Sequence, residues 1–253
     1  MTFCTGISVA GGIVALADTQ IVRGAHQSKK AKLSELVVGD RSVVVMTSGL
    51  RSVRDKVVLR LEDRLATGAE RFSRMHELAS AFGDQLREVR AEDGASLASS
   101  GLSFNLNAIL GGRLPGDPAP ALFQVYPEGN WVETTADAPY VVIGRSYYGK
   151  PILDRLLTHA TPLHQAVALA YLAFDATRAS VTDVDFPIDV AVLTGDAATP
   201  QRVRLGAAEL GPAHVWWQAQ LGTALAGLPM DWAAGLLGGP TGGGPTPSDL
   251  TLS

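Results

Sequence analysis

Cysteine is almost missing from this chain: Cys4 is the single one in 253 residues. One thiol cannot close an internal disulfide, so a disulfide framework is excluded and a reducing compartment fits. Long apolar runs are missing as well. No stretch reaches the roughly 18 residues that a helical membrane span requires. The start does not read as a secretory signal, because Asp18 interrupts the apolar stretch and no basic segment precedes it. Positive charge is not in surplus: 21 Lys and Arg face 25 Asp and Glu, for a net charge of −4. Nothing in that balance draws the chain to nucleic acid or anionic lipid. The five histidines (His26, His76, His159, His164 and His214) are scattered, with neither His-x₃-His nor a cysteine pairing. That spacing offers no metal site and no histidine-based triad. Gly11-Gly12 and Gly111-Gly112 lack the context of a phosphate loop and read as turns. We therefore expect no cofactor, metal, nucleic-acid or membrane partner, and a soluble, cytoplasmic protein.

Apolar residues make up 46% of the chain and charged residues 18%, enough for a sizeable core. Residues 2–8 and 13–17 read as strands joined at Gly11-Gly12, and residues 20–31 as a loop or irregular hairpin. A second hairpin spans Lys32–Val38 and Ser42–Thr47. Val53, Val57, Val58, Leu61 and Leu65 then recur at helical spacing, as do Phe72, Met75, Ala79, Phe82, Leu86 and Val89. Residues 94–103 read as a loop. Strands are expected at Phe104–Leu110, Leu122–Tyr126 and Tyr140–Ile143. Ile152–Leu157 and the stripe from Leu163 to Phe174 predict two more helices, the second capped at Thr161-Pro162. A strand at Ile188–Leu193 closes the pattern, and a short helix follows around Trp216–Leu225. Strands and helices grouped in this way favour an α+β fold over a wound parallel sheet. One domain over residues 1–237 and a flexible Gly/Pro-rich tail over 238–253 are expected.

Thr2 carries the most pointed chemistry. Methionine is trimmed when the next side chain is small, and trimming Met1 would give Thr2 both a free α-amine and a β-hydroxyl. The amine, with an ordinary pKa of about 7.7–8.0, is a usable base near neutrality. One residue can then act as a nucleophile and as its own general base. Cys4 is a rival nucleophile, but it would need three residues removed, and its strand position suggests a buried thiol.

The order Met1-Thr2-Phe3-Cys4, an apolar strand ending in Ala17-Asp18, and a lysine opening the next strand resembles a proteasome β-type subunit. The similarity is strongest to the bacterial Anbu-like homologues, through Tyr148–Asp154, Phe174-Asp175-Ala176-Thr177 and Pro187-Ile188-Asp189-Val190. It covers about residues 2–195. The resemblance implies a four-layer αββα sandwich of the N-terminal-nucleophile hydrolase type, and a threonine peptidase acting on peptide or unfolded-protein substrates. By the same resemblance Thr2 is the nucleophile, Asp18 the carboxylate and Lys32 the ammonium, with Lys29 and Lys30 as rivals to Lys32. Gly49, in Thr47-Ser48-Gly49, corresponds to the oxyanion donor. Thr47, with Ile21 and Ala31 as weaker candidates, would line the pocket for the residue preceding the cut.

Two departures bear on turnover. The supporting serine of the family falls on Ser146 or on nothing. The family's Asp-x-x-Ser pair appears as Ser180-Val181-Thr182-Asp183, with serine and aspartate exchanged. The resemblance further implies self-association into a ring or helical-ring homo-oligomer, and leaves a regulatory ATPase undefined. Two alternatives stay open: a catalytically silent scaffold subunit, and an amidase on small acyl-amides.

Overall fold

The computed structural model describes residues 2–23, 26–68 and 71–233. The expected tail over 238–253 and the boundary at 237 lie outside these residues. The chain divides into two compact units, residues 1–209 and 210–253.

The first unit is built on two five-stranded antiparallel sheets. One runs β10-β1-β2-β11-β12, from β1 (Phe3–Val9), β2 (Gly12–Asp18), β10 (Tyr140–Gly144), β11 (Ile188–Thr194) and β12 (Gln201–Leu205). The other runs β5-β6-β7-β8-β9, from β5 (Leu33–Val38), β6 (Arg41–Gly49), β7 (Leu106–Gly112), β8 (Ala121–Val125) and β9 (Trp131–Glu133). A separate hairpin pairs β3 (Gln20–Arg23) with β4 (His26–Lys29).

The sheets face one another through Cys4, Ile13, Ala15, Val44, Met46, Ile109 and Leu122, all buried. These side chains form an inner core because alternate residues of each strand point inward. On the outer face of the second sheet lie α1 (Arg51–Ala66) and α2 (Met75–Ser99). Val53, Val57 and Leu61 of α1 recur every four residues, so they share one face and pack with Phe82, Leu86 and Val89 of α2. The start of α2 is fixed electrostatically: the Glu77 carboxylate accepts the Ser73 and Arg74 N–H groups at 2.8 and 3.1 Å. On the outer face of the first sheet lies α4 (Leu163–Ser180), with α3 (Lys150–Leu156) beside it. Phe174 of α4 packs on Phe3 and Phe186 at centroid distances of 6.3 and 5.1 Å. The outcome is the four-layer αββα sandwich, an α+β fold.

Several local expectations need correction. Residues 94–99 continue α2, because Leu97 packs against the core beneath it and draws the small-residue segment into the helix. Phe72 lies ahead of that helix but still packs on the same core. Gly111 and Gly112 form no turn; they pair with Leu122 and Ala121 inside the sheet. Strands β9 and β12 were not expected: all three residues of Trp131–Glu133 are exposed to some degree, and Gln201–Leu205 is polar and mostly exposed, so neither carries a burial pattern. Pro162 itself is the N-cap of α4, while the Thr161 hydroxyl accepts the Thr158 N–H at 2.9 Å. The helix expected around residue 216 extends over Ala207–Ala226 as α5, and within it Val215, Trp216, Leu221 and Leu225 are exposed.

Candidate active site at the amino-terminal strand

Asp18 ends β2 with its side chain fully buried. A buried carboxylate is unfavourable unless donors replace the lost water, and four contacts do so here. The Phe3 N–H donates to Oδ1 at 2.8 Å and the Gln20 N–H to Oδ2 at 3.1 Å. Lys32 Nζ spans both oxygens at 2.7 and 2.8 Å. Burial pushes the Asp18 carboxyl above its ordinary value, opposed first by the Lys32 charge and hydrogen bond and then by the Phe3 and Gln20 N–H groups. The donor set is that of an ionised carboxylate, since each contact presents hydrogen to oxygen.

Lys32 precedes β5, and its carbonyl receives the Thr47 N–H at 3.3 Å, which ties it to the end of β6. Of the three candidate lysines, Lys32 is the one that is buried and holds Asp18. Lys29 and Lys30 are exposed, although Lys30 borders the same cavity.

Thr2 is fixed through the peptide that follows it. The Phe3 N–H of that peptide goes to Asp18, and the Thr2 carbonyl accepts the Arg145 N–H at 2.7 Å. Both polar ends of one peptide unit are thereby anchored. Thr2 lines a cavity of about 620 Å³ together with Lys32, Gly49, Thr47, Ile21 and Ala31. Asp18 is not in that lining and is joined to it by its bonds to Lys32 and the Phe3 N–H. Gly49 has φ of +139°, and a β-carbon there would meet the Asn105 carbonyl at 2.1 Å, so only glycine fits. Removal of Met1 concerns a residue outside those described.

The remaining nominated residues are not in the lining of that cavity. Ser146 borders a second cavity of about 530 Å³, beside Tyr140, Lys150 and Asp154. There Lys150 Nζ donates to the Tyr140 hydroxyl at 2.6 Å and to Asp154 Oδ1 at 2.9 Å, and the Tyr140 hydroxyl bonds Asp154. The Ser180 hydroxyl donates to the Ala176 carbonyl at 2.9 Å in an exposed turn of α4. Asp183 pairs with Arg145, whose Nη2 donates at 2.9 Å. Burial pulls the Asp183 carboxyl up, but the Arg145 hydrogen bonds and charge contribute to a net shift below the ordinary carboxylate range. Asp183 is thus linked to Thr2 by Arg145, whose N–H holds the Thr2 carbonyl. Cys4 is fully buried in the inner core, and burial, reinforced by the Asp18 charge, pushes its thiol far above its ordinary value. It is not a poised nucleophile.

Sequence reading missed Arg51, Arg54 and Asn105, which also line the cavity. Arg51 and Arg54 stand three apart at the start of a helix directly after Gly49, a spacing that places both on one side. Asn105 carries no local signal; it arrives because the Gly49 and Leu106 positions pair across β6 and β7.

The αββα sandwich is the fold of the N-terminal-nucleophile hydrolases. Within that class the chain belongs to the proteasome family: the proteasome subunit model matches residues 2–193. Among solved structures it is similar to Anbu from Yersinia bercovieri, described as an ancestral β-subunit, at 31% identity and a TM-score of 0.82. That match covers 90% of this chain and 98% of the other. A Gly-1 mutant of Anbu from Hyphomicrobium sp. strain MC1 matches with the same identity, TM-score and coverage. The helical assembly of the Anbu complex from Pseudomonas aeruginosa matches at 31% identity and a TM-score of 0.83, over 90% of this chain and 97% of that one. Among curated proteins nothing matches the chain.

Proposed function

We propose that the chain is a threonine peptidase of proteasome type that cleaves peptide bonds through Thr2. The observation that carries this reading is Asp18, which accepts the Phe3 N–H and two hydrogen bonds from Lys32 on the wall of the Thr2 cavity. After loss of Met1, the Thr2 amine takes the hydroxyl proton as Oγ attacks the scissile carbonyl. The Lys32 ammonium favours the neutral form of a nearby amine and stabilises negative charge developing on oxygen. The Gly49 N–H supports the tetrahedral oxyanion. Collapse expels the amine fragment, which leaves with the proton, and an ester forms on Thr2. Water then hydrolyses the ester, deprotonated by the same amine. No step calls for a cofactor.

Intact-mass measurement and an epoxyketone peptide test this together. The expected result is a chain lacking Met1 and a covalent adduct on Thr2. A Thr2→Ala variant that still hydrolysed peptides would sink the mechanism.

One observation favours a second reading, a catalytically silent subunit. The Ser180 hydroxyl is exposed and bonds the Ala176 carbonyl of its own helix, so the serine of the exchanged pair is engaged elsewhere. Retention of Met1 in the mature protein would decide for it.

We further infer self-association. The apolar side chains exposed on α5 and the helical assembly of the Pseudomonas aeruginosa relative support it. Sedimentation velocity tests it, with a monomer at all concentrations as the contrary result.

A further inference from the structure

The chain is acidic overall, at −4, yet the cavity beside Thr2 reverses that sign. Among its described lining residues are Lys30, Lys32, Arg51 and Arg54, and no carboxylate. Two carboxylates touch these four cations from outside the lining: Asp18 on Lys32, and Asp55 on Arg51 and Arg54. Four cations less two carboxylates leaves a surplus of two positive charges around the cavity.

The arginines are arranged to use that surplus. Asp55 accepts Arg51 Nε at 3.2 Å and faces Arg54 Nε at 2.7 Å, so one carboxylate serves two guanidinium groups. Both contacts run through Nε, which leaves the terminal nitrogens of each fork for a ligand. The fold adds to the field. α1 begins at Arg51 on the cavity wall, no side chain caps it, and its first turn holds no acidic residue. The positive end of its dipole is therefore not offset in that turn. An apolar side chain entering here would take water from the guanidinium groups and return nothing, an amide would return neutral hydrogen bonds, and a carboxylate returns the stronger charge-assisted ones.

Resting on the peptidase reading above, we propose that this cavity selects an acidic side chain, glutamate or aspartate, on the residue preceding the cut. Thr2 and Gly49 hold the scissile carbonyl within the cavity, and Arg51 and Arg54 on its wall meet the side chain. Glutamine, equal in shape but uncharged, is the discriminating competitor. Lysine and arginine are repelled. Because Arg51 and Arg54 are 45% and 22% exposed, the preference is partly screened and falls with ionic strength.

The test uses the full chain in its native assembly and acetylated fluorogenic peptides that differ only before the scissile bond, with Glu, Gln, Leu or Arg there. The expected kcat/KM for Glu exceeds that for Gln by about fivefold. About 0.5 M salt narrows the ratio, as does Arg54→Gln. Should Arg54→Gln fail to fold, the more exposed Arg51→Gln serves in its place. Equal rates for Glu and Gln, or a preference for Leu or Arg, overturn the proposal. Calorimetry with the acetylated peptide amides ending in Glu or Gln separates the two readings. If no peptide is cleaved but the Glu peptide binds more tightly, the peptidase reading fails and the acidic preference stands. Equal or absent binding of the two overturns the preference.

Discussion

Gly144 and the Thr2 carbonyl occupy one space. Gly144, at φ of +89°, brings its backbone so close that a β-carbon there would lie 1.9 Å from the Thr2 oxygen. The same approach lets the next residue, Arg145, donate its N–H to that oxygen at 2.7 Å. The end of β10 therefore fixes the residue proposed as nucleophile, and glycine is the side chain that permits it.

Gly144→Ala should displace Thr2 and impose a left-handed conformation on alanine, with strain alone costing on the order of 1–3 kcal/mol. Both peptide turnover and thermal stability should fall. Reaction with an epoxyketone, compared at a temperature where the variant is folded, separates displacement of Thr2 from simple unfolding. Unchanged adduct formation by a folded variant would contradict the positioning role.

Asp18 and Lys32 form a buried pair, and breaking such a pair leaves an uncompensated charge. Asp18→Asn should destabilise the chain by about 3–5 kcal/mol and abolish turnover. Adding Lys32→Met should restore part of the stability and none of the activity. Urea unfolding of the two variants measures the first effect. A double variant less stable than the single one would argue against the pairing.

The Arg145–Asp183 bridge gives a pH dependence whose sign follows from the depressed Asp183 carboxyl. A carboxyl lowered on folding contributes stability above its unfolded pKa of about 3.9, and loses it as pH falls through the lower folded value. The native chain should accordingly be more stable than Asp183→Asn at neutral pH, with the gap closing as pH drops below about 4. Urea midpoints across that range check it. A gap of constant size down to the acid limit would remove Asp183 from the account.

Cys4 should resist alkylation at neutral pH, because its thiol is fully buried and its ionisation is pushed far upward. Iodoacetamide should label it only in denaturant. Rapid labelling of the native protein would reopen Cys4 as a competing nucleophile.

What could be read from the residues were features that act locally. Helical stripes such as Val53, Val57 and Leu61, and strand runs such as Gly12–Asp18, are recorded in periodicity because one face of each element must be buried. Thr2 stood out because its proposed chemistry starts from its place beside Met1. Strands without a buried face left no such trace: β9 and β12 form because a neighbouring strand offers unpaired backbone groups. The small residues 94–99 read as loop until Leu97 found the core.

The site divides along the same line. The residues themselves supplied a threonine with a trimmable neighbour, an aspartate closing one strand and lysines ahead of another. Burying Lys32 against Asp18, placing Ser146 in the second cavity, joining Asp183 to Arg145 and assembling a basic wall from Arg51 and Arg54 all required the packed sheets. The physical reason is distance along the chain. Periodicity reports which way a side chain points, but a pair such as Arg145 and Asp183 is set by how separate elements cross, and no local pattern encodes that crossing.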